Sequence, residues 1–123
     1  MLYLAMLLAA AVGGVCRFLL SNLLAAYWTK PFPLPTLVVN LSGAFLLGLL
    51  WAGKDLQQLS QAQWQILALA ALGSFTTVSS LSLQTVILWR SRALRQALLY
   101  PGISVSGGLL LLLLGSWCGR QLW

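Results

Sequence analysis

The chain has 123 residues, 60% of them hydrophobic and 7% charged, with seven Lys and Arg against one acid and no His. Ordinary soluble domains are about 45–50% apolar, so this composition belongs in a membrane, and without His or any acid but Asp55 most acid–base, metal and carboxylate chemistry is excluded. A hydrocarbon core about 30 Å thick takes roughly 20 residues per helix, so the length predicts one all-α domain of about four spans and no enzyme. The formal charge of +6 comes from residues dispersed around apolar runs, not gathered into a stripe with aromatics between them. They are orientation signals and not a nucleic-acid surface.

The first span is expected over about 2–28. Its opening, MLYLAMLLAAAVGG, has no basic n-region and runs on through Arg17 into more Leu, so it reads as a retained helix and not as a signal peptide. Lys30 and the Pro31–Pro35 run end it, because proline cannot continue a helix and restricts the residue before it. The second span, about 34–53, is uncharged and closes at Lys54 and Asp55. A polar connector, DLQQLSQAQ, leads to a third span over about 64–89, which ends at the basic cluster Arg90, Arg92, Arg95. The fourth covers about 97–118, with Pro101-Gly102 expected to bend it or delay its start. Trp28, Trp51, Trp64, Trp89, Trp117 and Trp123 all fall near predicted ends, where indole rings anchor at the headgroups. Cys16 and Cys118 lie in apolar runs and act as small hydrophobes, not as a disulfide or metal pair.

Four spans put both termini on one side. The first and third loops carry Lys30, Arg90, Arg92 and Arg95 against Lys54 and Arg120 on the other side, four charges to two. The positive-inside rule then leans the loops toward the cytoplasm, and the amino terminus narrows the margin. Near balance of this kind suits insertion in either orientation, or pairing with an oppositely oriented copy.

Polar residues inside the spans must face a partner or a wet crevice. Arg17 lies midway along the first span, four residues after Gly13, as a snorkelling or tethering charge or as part of a site. In the second, Asn40, Ala44 and Gly48 share one face, which admits a close helix while the amide finds a partner. In the third, eight of the twelve residues from Ser74 to Thr85 carry a hydroxyl or an amide, after Gly73. Hydroxyls can bond back to their own helix, but a cluster this dense fits a broken helix whose freed backbone lines an ion site. Tyr100, Ser104 and Gly108 form a further stripe at i, i+4, i+8.

An intramembrane carboxylate is missing, so a proton-coupled exchanger of the small multidrug type is disfavoured, and cation conduction lacks acidic rings. Neutral donors with one nearby arginine favour a small hard anion.

At these residues the chain resembles the Fluc (CrcB-type) fluoride channel family along its whole length. GGVCR at Gly13–Arg17 is similar to the family's first-helix signature, and LPTLVVNLSGAFLLG at Leu34–Gly48 to its second-helix segment with the pore asparagine. GSFTTVSSLSLQT at Gly73–Thr85 is similar to the break in its third helix, and Tyr100 with Ser104 to its polar track. The resemblance implies four helices with a broken third, an antiparallel dual-topology dimer in the plasma (inner) membrane of a microbe, and passive fluoride export without energy input. It also implies that Asn40, Ser79, Tyr100 and Ser104 lie along the anion pathway and that Arg17 is a vestibule or structural element. Backbone carbonyls of Gly73 and Thr76 would hold a structural Na⁺ at the dimer interface.

Two departures stand out. Where the family break reads TTFSTF, this chain has Val78 and Leu81 in place of the phenylalanines whose ring edges face fluoride, and Gln84 in place of a following glutamate. Phe75 is not at a motif position. Aliphatic replacements remove the quadrupole interaction with an anion, so a pore built only from this chain is expected to be impaired. The partner in the dimer is then either a second copy or an oppositely oriented paralogue carrying the missing rings. The rival reading is a non-conducting structural half of such a pair.

Overall fold

Prolines and reciprocal caps set the helix limits in a computed structural model that describes residues 1–123. Helix α1 (Leu2–Tyr27) ends where Trp28 turns extended. The Trp28 indole N–H then donates to the Phe32 carbonyl at 2.6 Å, with the Lys30 ammonium 5.2 Å from its ring, so the proline-rich loop is folded back on itself. Helix α2 (Leu34–Asp55) carries proline in its first turn, where the missing N–H would have no partner anyway. Its end is a Schellman motif: Gln58 N–H reaches the Gly53 carbonyl, Gln57 N–H reaches Lys54, and Gln57 takes φ 58°.

The third span starts three residues earlier than the expected Trp64. Ser60 Oγ accepts from Gln63 N–H while the Gln63 side chain accepts from Ser60 N–H, a capping box that nucleates α3 (Gln61–Trp64) inside the stretch read as a connector. A π-helical stretch, Gln65–Leu72, follows without interruption and leads into α4 (Gly73–Phe75). Thr76 (φ −84°, ψ 161°) and Thr77 (φ −152°, ψ 121°) are extended, and α5 (Val78–Arg90) resumes with the Thr77 hydroxyl accepting from Ser80 N–H. A second Schellman turn follows, with Arg92 at φ 59° and Ala93 N–H on the Leu88 carbonyl.

Helix α6 (Leu94–Leu122) departs from the expected 97–118 limits at both ends. Pro101 does not delay its start but lies inside it. The ring removes one N–H from the ladder, a loss that membrane helices absorb through neighbouring groups. Four segments are long and apolar enough to cross a membrane: Leu2–Tyr27, Leu34–Asp55, Gln61–Arg90 and Leu94–Leu122.

Two seams hold them together, and both depend on glycine. Along α2 and α6, a Cβ on Gly48 would strike the Leu112 carbonyl oxygen and one on Gly115 the Phe45 carbonyl oxygen. Each helix therefore offers a gap to the other's backbone, the small-residue packing that drives association where lipid tails cancel the hydrophobic force. Between α1 and the third span, Gly13 leaves room for the Ala71 carbonyl, and Ser74 Oγ donates to the Ala10 carbonyl at 2.6 Å. A small apolar core, Leu37, Leu88, Ala97 and Tyr100, joins α2, α5 and α6 at the end bearing the first and third loops, with Phe32 and Ala93 packed against it. The outer face of α1 stays bare, from Tyr3 and Leu7 to Phe18 and Leu23, as a lipid-facing surface should be.

Candidate ion pathway at the third span

The extended pair Thr76–Thr77 takes backbone groups out of the helical ladder at membrane depth, where each needs another partner. Asn40 supplies it. Its Oδ1 accepts from Thr77 N–H at 2.8 Å and its Nδ2 donates to the Thr77 carbonyl at 2.9 Å, so one amide on α2 grips both polar groups of one residue of the third span. The second Nδ2 hydrogen is left over, at a groove of about 220 Å³ lined by Asn40, Ala44, Thr77, Val78, Leu81 and Ser104. In an unbroken helix Thr77 N–H would have closed on the Gly73 carbonyl. Its diversion to Asn40 leaves that oxygen without its usual donor.

The remaining candidates divide into two groups. Arg17 reaches the site: its guanidinium lies 3.4 Å from the Thr76 carbonyl, the one fixed charge beside the extended pair. The Thr76 hydroxyl bonds back to Leu72, and Thr85 to Leu81, the self-satisfying arrangement open to intrahelical hydroxyls. Ser79 is exposed near the start of α5, 3.0 Å from the Thr77 hydroxyl. Val78 is 74% exposed at the rim of the groove, whereas Leu81, also in its lining, packs against the small core. Phe75 lies over Gly43, with its ring 3.3 Å from the position a Cβ there would take, on the α1–α2 side and not in the Val78 groove.

Tyr100 and Ser104 have partners within the chain. Tyr100 is fully buried and its hydroxyl donates to Gln84 Oε1 at 2.7 Å, while Gln84 Nε2 donates to Thr36 Oγ1 at 2.8 Å. Ser104 donates to the Tyr100 carbonyl at 2.7 Å. Thr36, Gln84 and Tyr100 thus form one polar chain across α2, α5 and α6. In the sequence Gln84 is only a substitution for a glutamate and Thr36 only a polar member of a span. Their pairing across 48 positions has no local signature.

No acid lies near the groove. Asp55 is at the opposite end of the molecule from the first and third loops, on Arg120 at 2.6 Å in a half-exposed ion pair. No cluster of His, Cys, Asp or Glu could hold a transition metal. What the groove offers is hydrogen: the free Asn40 N–H and the first N–H groups of α5 at Val78 and Ser79, which have no partner within a helix and carry its positive end. Such a lining receives an anion and gives a cation only carbonyl oxygens.

Comparison with known proteins agrees with this chemistry. The family model for CrcB-like protein, Camphor Resistance (CrcB), matches residues 4–116. The chain belongs to that family. CrcB proteins are ion channels and not enzymes, and this CrcB chain is a multi-pass protein of the bacterial plasma membrane. It is similar to the fluoride-specific ion channel FluC of Pseudomonas putida, 39% identical over 123 residues, covering 96% of each chain. The FluC of Opitutus terrae is 39% identical over 122 residues, covering 97% of this chain and 89% of its own. A protein of Lactobacillus johnsonii named fluoride-specific ion channel FluC 2 is 35% identical over 103 residues, covering 84% of this chain and 83% of its own.

Proposed function

We propose that this CrcB chain is a subunit of a passive, fluoride-selective channel that lets cytoplasmic fluoride leave the cell down its electrochemical gradient. The observation that carries the reading is the Asn40 clasp on Thr77, which fixes neutral donors at a groove lined by no charged residue. Fluoride is small and strongly hydrated, so a pathway must replace its water with fixed hydrogen-bond donors without a full positive charge that would trap it. Asn40 and the start of α5 at Val78 and Ser79 supply such donors, and Tyr100 and Ser104 continue the track once their hydroxyl hydrogens rotate toward the ion. Arg17 adds an attractive charge beside the vestibule.

The working unit in this proposal is an antiparallel dimer, with the extended stretches of two third spans meeting as a pore-lining break. The carbonyls of Gly73 and Thr76 would hold a structural Na⁺ there. The Gly73 oxygen, which has lost its helical donor, is open to a hard monovalent cation, whereas the Thr76 carbonyl faces the Arg17 guanidinium, which would have to swing away for the ion to share that oxygen. When bound, that ion would neutralise carbonyl repulsion between subunits and take no part in transport.

A second reading has its own support: a structural half that completes a pore in an unlike partner. Val78 and Leu81 offer no ring edge, and the Tyr100 and Ser104 hydroxyls are already engaged inside the chain. Fluoride-electrode efflux from liposomes separates the two. The channel reading expects the chain alone to pass fluoride and Asn40→Asp to abolish the flux. Flux that appears only when an oppositely oriented CrcB relative is added, and that survives Asn40→Asp, establishes the structural half instead.

A further inference from the structure

The basic residues of the first and third loops have no acid paired with them, Lys30 meeting only the Trp28 ring, although the chain's one acid is itself paired. Asp55 neutralises Arg120 at one end of the molecule. At the other end, Arg90, Arg92 and Arg95 are exposed, and none is hydrogen-bonded or ion-paired within the chain. Lys30 joins them: Phe32 and Ala93 pack on the same small core, which brings the first loop against the turn that carries the arginines. Arg92 occupies the left-handed position of a Schellman turn at φ 59°, as Gln57 does at the end of α2. Trp28 and Trp89 flank the group, and Trp89 is 57% exposed, which sets these charges at headgroup depth.

We propose that this collar, Lys30 with Arg90, Arg92 and Arg95, is a binding surface for the headgroups of anionic phospholipids in the adjoining leaflet. Four uncompensated cations at headgroup depth match a phosphodiester bearing a net negative charge, and the apolar wall of α5 and α6 below them accepts the acyl chains. A juxtamembrane Lys or Arg contributes roughly fivefold in affinity for an anionic surface. Neutralising three of them should lower the preference for anionic over zwitterionic lipid by about a hundredfold.

The test is native mass spectrometry of the whole detergent-solubilised chain, titrated with dioleoyl-phosphatidylglycerol or dioleoyl-phosphatidylcholine, where insertion orientation has no influence. The expected result is tighter retention of phosphatidylglycerol, lost in Arg90→Gln/Arg92→Gln/Arg95→Gln and kept in Lys54→Gln. Arg95→Gln alone, a smaller change should the triple variant fail to fold, is expected to weaken the preference about fivefold. Equal retention of both lipids by the unaltered chain overturns the proposal. So does a preference that survives the arginine substitutions, or one that millimolar inorganic phosphate abolishes.

Discussion

Replacing Asn40 by Leu keeps a side chain branched at the same carbon on α2 and removes both bonds to Thr77, at 2.8 and 2.9 Å. Thr77 N–H and carbonyl then lack partners at membrane depth. An unsatisfied buried group costs about 1–3 kcal/mol, while interhelical side-chain bonds in membranes average about 0.6 kcal/mol because alternative partners are found. With two bonds lost together, about 1–3 kcal/mol of stability should go, measured as a lower midpoint in SDS-driven unfolding. The free Nδ2 hydrogen at the groove disappears as well, so fluoride efflux from liposomes should fall by about tenfold to a hundredfold, the kinetic equivalent of roughly 1.4–2.7 kcal/mol. Asn40→Asp still accepts from Thr77 N–H but sets a second carboxylate oxygen against the Thr77 carbonyl, so it should lose stability and flux together. If Asn40→Leu unfolds and conducts like the parent chain, the clasp neither holds the extended pair nor lines the pathway.

Three further outcomes are expected. Gly115→Ala places a methyl against the Phe45 carbonyl oxygen and should cost about 1–3 kcal/mol through separation of α2 and α6; Gly14→Ala, with nothing within 4 Å, should be neutral or stabilise by up to about 1 kcal/mol in the same SDS titration. Gln84→Leu leaves the buried Tyr100 hydroxyl and Thr36 without their bridge and should lower stability by about 1–3 kcal/mol, whereas Gln84→Glu, which still accepts from Tyr100, should lose less. Val78→Phe adds a ring at an exposed position, so SDS unfolding should shift by no more than about 0.5 kcal/mol while efflux by the chain alone rises; unchanged efflux would detach position 78 from the pathway.

Composition and order along the chain were sufficient for the membrane class, the four apolar spans and the segments where polar residues gather. Those properties are local: hydropathy over roughly 20 residues, proline at Pro31–Pro35, and indoles at the ends. The early start at Gln61 was missed: Ser60 and Gln63 are a capping pair three residues apart, but the surrounding polarity reads as a loop. The early start of α6 at Leu94 was not legible, because the basic residues around it read as a loop, whereas the expected range of 97–118 already held Pro101 within the helix. Nor did any local pattern announce the π-helical stretch Gln65–Leu72, whose widened backbone runs against the gap left by Gly13.

The site itself was half visible. Asn40, Tyr100 and Ser104 could be picked out as polar residues in apolar surroundings, but their partners could not. Thr77 is 37 positions from Asn40, and Gln84 lies between Thr36 and Tyr100 on a third helix. Which donor meets which acceptor depends on how far Gly48 and Gly115 let α2 and α6 close and on where the third span leaves its ladder. Periodicity specifies the face on which a side chain lies. Only the packed helices decide what stands opposite it, because a hydrogen bond is made or lost over a few tenths of an ångström.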